Sequence, residues 1–197
     1  MNPPGNRERA PKNTNPTGRN GSRPAESNGD ELDEDNGLRE MLIDEMADVY
    51  HAEKQLLKAL PKMAKAAQSD ALREAFEAHL KETQEQVSRL EQAFTLLDEK
   101  TKSKTCKAME GLLEEGAEMM EDNEGKPTID AALIAAAQKV EHYEIASYGT
   151  LRAWAKQLGE EEVAALFDET LGEEKVADEK LTGIAEETAN LTAEEAD

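Results

Sequence analysis

The 197-residue chain carries 44 acidic against 23 basic residues, a formal net charge of −21 at pH 7, and only 4% of its residues are aromatic. Such a negative surface repels nucleic-acid phosphate and anionic lipid, so we expect no nucleic acid and no membrane among its partners. No apolar run reaches the roughly 20 residues of a membrane span, and the N-terminus lacks the apolar core of a secretory signal. Cys106, the single cysteine, cannot pair within the chain, so a reducing, cytoplasmic location is expected.

The two ends of the chain differ from its middle. Residues 1–36 are rich in Asn, Pro, Gly, Arg and Ser and have no hydrophobic period, which predicts a disordered N-terminal tail. This tail is either a solvated extension or a docking arm for an acidic partner. Apolar residues then recur at spacings of three and four, which predicts a helical domain over residues 37–190. Residues 191–197 are expected to form an acidic C-terminal tail.

The periodic region divides into helices at recognisable signals. The pattern predicts four long helices over residues 38–67, 70–97, 129–158 and 160–190, and a short helix over residues 106–121. Pro61 should kink the first helix or end its regular part. Ser69 and Thr128 are predicted N-caps, and Gly159 should stop the third long helix. With no strand signal, we predict an all-α fold: an up-down four-helix bundle with an additional short helix in its long middle connection.

Each long helix places acidic or imidazole side chains on its apolar stripe, near its middle. This inward polar set contains Glu53 in the first helix, His79 and Glu82 in the second, Glu141 and Glu144 in the third, and Glu174 and Asp178 in the fourth. Antiparallel helices of similar length bring mid-helix positions to one level. Unpaired carboxylates buried there would cost several kcal/mol each, so the set predicts two divalent cations. Oxygen ligands with some imidazole suit iron or manganese and would also take zinc.

A structural interpretation stays open for each of these residues taken alone. Helical glutamates mostly form surface ion pairs, and a lone core histidine is more often hydrogen-bonded than metal-bound. The coincidence of such residues on four helices favours a metal site. Three tyrosines (Tyr50, Tyr143 and Tyr148) should lie close to the same layer and pack there with a hydroxyl available for hydrogen bonds.

Four segments resemble those of a known family. These are Tyr50–Leu56, Ala75–Thr83, Ala108–Leu112 and Asp130–Leu151, and they are similar to the YciE/YciF family, a ferritin-like group of bacterial and archaeal proteins that forms a domain of unknown function, DUF892. The resemblance covers about residues 38–190. It implies a ferritin-like bundle with an extra helix, a dinuclear metal centre, a homodimer and an association with stress response.

The chain departs from the wider di-iron pattern, which has one Glu on each of two helices and Glu-x-x-His on the other two. Here the second helix has the reversed order His79-x-x-Glu82, and Ala177 stands where the fourth helix would carry a histidine. We expect either a dinuclear iron or manganese protein that acts on a small oxidant, peroxide or O2, or on Fe(II), or else a non-catalytic helical dimerisation or stress-structural protein without metal.

Overall fold

The computed structural model describes residues 34–195, with side chains from residue 37. Its elements are α1 (Glu34–Ala66), α2 (Asp70–Leu96), α3 (Lys107–Asp122), α4 (Ile129–Gln157), α5 (Glu161–Ile184), a π-helical turn (Ala185–Ala189) and α6 (Asn190–Glu194). No strand occurs in this range, which confirms the all-α prediction. Helical structure begins at Glu34 and reaches Glu194, beyond the expected limits of 37 and 190. The rest of the expected N-terminal tail and the last two residues lie outside the described range.

Helices α1, α2, α4 and α5 form the predicted four-helix bundle, in which α1 and α5 each pack against α2 and α4. One apolar core cluster joins the N-terminal part of α1, the C-terminal parts of α2 and α4, and the N-terminal part of α5. A second cluster joins the opposite ends of the same helices and includes residues of α3. Neighbouring helices are therefore antiparallel, and the core consists of two apolar clusters, one at each end of the bundle.

The connection between α2 and α4 runs the length of the bundle. Leu97, just after α2, lies in the first cluster, whereas Ile129, which opens α4, lies in the second. The backbone N–H of Lys104 donates to the carbonyl of Ala47 at 3.0 Å, so the connection passes beside the middle of α1. Helix α3 completes it by packing on α4 and α1. The structure thus places the extra short helix in the middle connection, as predicted.

Capping explains where several helices begin and end. The Ser69 hydroxyl accepts a hydrogen bond from the Leu72 N–H at 3.2 Å, as predicted for an N-cap. Gly159 follows α4 with φ of +77°, a left-handed conformation that favours glycine at a helix end. The side chain of Thr128 makes no capping bond; its hydroxyl donates instead to Asn123 Oδ1 at 2.6 Å. Thr128 therefore occupies the N-cap position of α4, as predicted, but without a side-chain capping bond.

The end of the bundle where α1 meets α2 has two features that the hydrophobic pattern did not define. Helix α1 continues through Pro61 to Ala66, so the proline does not end it. The buried carboxylate of Asp130 accepts hydrogen bonds from the backbone N–H groups of Gln68 and Ser69, both at 2.8 Å, and so ties the α1–α2 turn to the first turn of α4.

None of the helices in residues 34–195 combines the length and apolar character that crossing a membrane requires.

Candidate metal centre

A layer of buried polar side chains separates the two apolar clusters. On α4, for example, Val140 belongs to one cluster and Tyr148 to the other, and the carboxylates of Glu141 and Glu144 lie between them. Five side chains of the predicted set are buried in this layer: Glu53 from α1, His79 from α2, Glu141 and Glu144 from α4, and Glu174 from α5. We call these five side chains the acidic layer. The bundle thus brings together residues that lie up to 121 positions apart in the sequence.

Four members of the acidic layer converge on one point. His79, Glu141, Glu144 and Glu174 each offer one ligand atom, and these atoms all lie within 4.8 Å of one another. His79 Nε2 lies 3.6 Å from Glu141 Oε1 and 3.8 Å from Glu174 Oε2. Around an ion about 2.1 Å from each ligand, ligand atoms stand about 3–4.2 Å apart. Small side-chain adjustments would therefore let all four donors bind one cation.

Glu53 adds a fifth donor from the remaining helix. Its side chain is fully buried, and the Tyr148 hydroxyl donates a 2.5 Å hydrogen bond to its Oε1. Its other oxygen, Oε2, has no hydrogen-bond partner. Tyr148 was expected near this layer, and the structure places its hydroxyl directly on a predicted ligand. The hydroxyl thus fixes Glu53 and leaves one oxygen free to bind a cation.

Unsatisfied buried polar atoms are concentrated in the acidic layer. Within residues 37–195, eight buried side-chain nitrogen or oxygen atoms lack a hydrogen-bond partner. Six of them belong to the acidic layer: Glu53 Oε2, His79 Nε2, Glu141 Oε2, both oxygens of Glu144, and Glu174 Oε2. Buried polar groups in native proteins are nearly always satisfied, because an unsatisfied one costs about 1–3 kcal/mol. All six are lone-pair donors that suit a cation, so the residues present fit a metal centre.

The pKa values of the buried carboxyl groups also fit a site for a cation. Burial, followed by the charge of Glu174, raises the pKa of Glu53 from 4.5 to about 8. Burial likewise raises the pKa of Glu141 to about 7, and it raises the pKa values of Glu144 and Glu174 well above the ordinary value. Without a cation, these carboxyl groups are too dry and too close to ionise together. A bound divalent cation would reverse this preference.

The histidine of the layer is oriented by a carboxylate outside it. Glu82 Oε2 lies 3.3 Å from His79 Nδ1, and the Glu82 side chain is 45% exposed. Burial by itself would lower the pKa of His79, but the hydrogen bond with Glu82 and the charges of Glu174 and Glu53 raise it overall. A carboxylate on one imidazole nitrogen leaves the other directed at a metal. Glu82 thus lies behind His79 in this structure, and its role as a ligand stays a prediction.

Asp178 lies one turn beyond Glu174 at the edge of the bundle. Its side chain is 22% exposed and lies 3.5 Å from His142 Nε2. Gln138 Nε2 donates to the same Asp178 oxygen at 3.1 Å. These contacts link α5 to α4 outside the acidic layer, and Asp178 as a ligand likewise stays a prediction.

Sequence reasoning missed Gln86. This α2 side chain is fully buried and donates through Nε2 to Glu174 Oε1 and, at 3.1 Å, to Glu173 Oε2. Arg89 in turn holds both oxygens of Glu173, at 2.5 and 2.6 Å. Gln86 therefore fixes the orientation of Glu174. The signal was available, because Gln86 follows Thr83 by three residues and precedes Leu90 by four on the same buried stripe.

Comparison with known proteins assigns the chain to a protein family. Residues 37–194 match the model of a family described as a domain of unknown function, DUF892. The chain belongs to the DUF892 family. It is 50% identical over 158 residues to protein YciF of Escherichia coli (strain K12), an alignment that covers 80% of this chain and 95% of YciF. This membership confirms the family resemblance expected from the sequence.

Solved structures of similar proteins share the bundle. The E. coli protein YciF, described as a stress protein, superposes with a TM-score of 0.74 at 50% identity, over 78% of this chain and 97% of that one. YcfI from Rhodopseudomonas palustris, for which its description suggests a structural role, gives a TM-score of 0.72 at 43% identity over 74% and 92% of the two chains. A protein from Xanthomonas campestris pv. campestris gives 0.63 at 26% identity over 81% and 97%.

Proposed function

We propose that this DUF892 protein is a cytoplasmic stress-response protein that binds two divalent ions, iron or manganese, in its acidic layer and uses them in redox chemistry on peroxide or Fe(II). The observation that carries the proposal is the set of six unsatisfied lone-pair atoms contributed by four helices to one buried layer. The expected ligands are His79, Glu141, Glu144 and Glu174, with Glu53 beside them.

The number of ions follows from charge. The acidic layer contains four glutamates, which carry four negative charges when ionised. Isolated charges are costly in a dry interior, so the stable state is close to neutral. Two divalent cations would neutralise four carboxylates, whereas one would leave a net charge of about −2. A set of carboxylate oxygens with one imidazole suits iron or manganese and would also accept zinc.

The protein residues around the layer support a rigid site. Tyr148 holds Glu53, Glu82 holds the far nitrogen of His79, and Gln86 holds Glu174. Partners of this kind orient ligands and set their basicity. A redox-active ion bound here would polarise the O–O bond of a peroxide or accept electrons from a reduced metal substrate. The apolar clusters on both sides limit the entry of water to the layer.

A second candidate function is a non-catalytic structural role in stress. It is favoured by the structural role suggested for the relative YcfI and by Ala177, which stands where the di-iron pattern has a second histidine. Under this alternative the carboxyl groups of the acidic layer stay protonated, as their raised pKa values permit without a cation.

Metal analysis separates the two functions. Protein purified without chelator would be analysed for iron, manganese and zinc, then stripped and titrated with Fe(II) without oxygen, Mn(II) or Zn(II). We expect about two ions per chain for the parent and at least one fewer for Glu144→Gln, because Glu144 is fully buried with both oxygens unsatisfied. The control is Glu162→Gln, an exposed glutamate on α5. Substoichiometric metal in the parent, unchanged by Glu144→Gln, would support the structural role.

We also propose a homodimer, formed through the groove between α1, α3 and α4. This groove of about 300 Å³ has an apolar floor that includes Leu112 and Leu113, with Lys58 and Lys62 on its α1 side. The adjoining depression has Lys65 on the α1 side and Glu121 at the end of α3. A two-fold axis would place the basic side of one copy against the acidic side of the other and cover the floor. Leu113→Glu should give monomers by light scattering, whereas the exposed Leu191→Glu should not.

A further inference from the structure

A small cavity reaches the acidic layer between α2 and α5. It has a volume of about 110 Å³, and its wall includes His79 and Glu141. Towards the surface it is lined by Glu82, whose side chain is 45% exposed, and by Val176, which is 64% exposed. The cavity therefore joins solvent to two members of the layer.

The exposure of the five layer residues agrees with entry through this cavity. His79 and Glu141, which line the cavity, are 6% and 3% exposed, whereas Glu53, Glu144 and Glu174 are 0% exposed. The larger groove between α1, α3 and α4 contains none of the five. Within residues 37–195, the small solvent contact of the acidic layer is thus at the two residues that line the cavity.

The size of the cavity limits what can pass. A volume of 110 Å³ is less than half of the roughly 300–1,000 Å³ typical of pockets for drug-sized ligands. Ala78 and Ala177 contribute to its wall from the two facing helices, so their short side chains keep it open.

The charge around the cavity disfavours anions. The chain has a net charge of −21, and the carboxylate of Glu82 lies at the opening. Lys180 also lines the cavity and opposes the charge of Glu82 locally. Divalent cations are attracted to such a surface, neutral molecules are unaffected, and anionic oxidants are repelled.

We propose, on the basis of the proposed metal function, that this cavity is the entry port of the site. Its small size, kept open by the short side chains of Ala78 and Ala177, restricts the oxidant to one of the size of hydrogen peroxide, and its negative surroundings favour a neutral one. Alkyl and aryl hydroperoxides are too large to enter. Reduction of hydrogen peroxide to two waters breaks its O–O bond and needs two protons, which solvent supplies, and two electrons, which two ferrous ions held by the residues of the acidic layer would supply.

The test narrows the port without replacing a proposed ligand. Ala177→Leu fills the cavity from α5, and Val176→Phe covers its opening at an exposed position that a larger side chain can occupy without unfolding the core. Ala165→Leu, an exposed alanine on the same helix, is the matched control. The first readout is the rate at which metal-free protein takes up Co(II), followed by the absorption of the bound ion. The second is the oxidation rate of Fe(II)-loaded protein by hydrogen peroxide and by cumene hydroperoxide.

We expect Ala177→Leu and Val176→Phe to slow Co(II) uptake at least tenfold with unchanged final stoichiometry, and Ala165→Leu to match the parent. The parent should react with hydrogen peroxide at least 100-fold faster than with cumene hydroperoxide, independently of ionic strength. If the parent binds metal but all variants take it up equally fast, or if both hydroperoxides react equally well, the port assignment is wrong while the metal function stands. If the parent binds no metal, the proposed function fails and the port with it.

Discussion

Replacing Glu53 by glutamine should have opposite effects on the metal-free and metal-bound protein. Glu53 is fully buried, and in the metal-free state its pKa is raised to about 8, first by burial and then by the charge of Glu174. In the unfolded chain the same group has its ordinary pKa of 4.5. Folding without metal at pH 7 therefore requires this carboxylate to take up a proton, and glutamine has no such requirement.

The size of the effect follows from that difference. Protonating a group 2.5 pH units above its unfolded pKa costs about 3 kcal/mol, at 1.36 kcal/mol per unit. Glutamine still buries an amide that is only partly satisfied, which costs about 1–2 kcal/mol. The metal-free variant should therefore gain about 1–2 kcal/mol, and a chain of this size shifts its melting temperature by about 2–4 °C per kcal/mol. With metal, the variant lacks a ligand oxygen, and affinity should fall more than tenfold.

The assay is calorimetric melting of parent and Glu53→Gln at pH 7, with chelator and with saturating Mn(II), together with Mn(II) titration. Glu40→Gln, an exposed glutamate on the same helix, is the control and should change neither state. A Glu53→Gln protein that is less stable without metal, and binds Mn(II) as the parent does, would refute the reasoning. Glu53 would then be a structural hydrogen-bonding residue held by Tyr148.

Three further predictions concern pH and neighbouring residues. Burial raises the pKa values of Glu53 and Glu141 to about 8 and about 7, so the contribution of these two groups to metal-free stability is largest below pH 4.5 and is lost as the pH rises to 8. The metal-free melting temperature should therefore fall over this range, while the stabilisation by Mn(II) grows. A flat metal-free profile would contradict this. Gln86→Leu frees the carboxylate of Glu174 and should weaken Mn(II) binding about 10–100-fold by titration, whereas the exposed Gln84→Leu should not. Asp130→Ala removes the buried carboxylate that accepts two partly buried N–H groups and should lower stability to urea by about 2–4 kcal/mol with unchanged metal stoichiometry, so a loss of metal would contradict its structural role.

The helical bundle could be predicted from the sequence because its signals are local. Apolar spacing of three and four residues fixes which face of a helix is buried, and this depends only on the helical repeat. Ser69 and Gly159 mark helix ends by local chemistry, and both act as predicted. The extra helix in the middle connection follows from the length of chain between two strong patterns. These features need no knowledge of which helices are neighbours.

The membership of the acidic layer was predicted for the same reason, because a carboxylate on an apolar stripe at mid-helix is visible in the sequence. Glu53, His79, Glu141, Glu144 and Glu174 are all buried together. The separation of Glu82 and Asp178 from that group depended on the rotation of α2 and α5 about their axes, which neighbouring helices set through packing. Residues three and four apart share a helix face, so a periodic pattern is too coarse to tell a side chain that reaches the acidic layer from one that lies beside it.

Contacts between distant residues were decided only by the tertiary structure. Asp130 binds the N–H groups of Gln68 and Ser69 across about 60 positions of sequence, and Gln86 binds Glu174 across 88. Thr128 has the residue type of an N-cap, yet its hydroxyl is taken by Asn123. The helical period alone indicates which face of each helix loses contact with water. Which polar atoms then meet, and which are left without a hydrogen-bond partner, depended on how four helices pack, because each such contact joins residues that no local pattern relates.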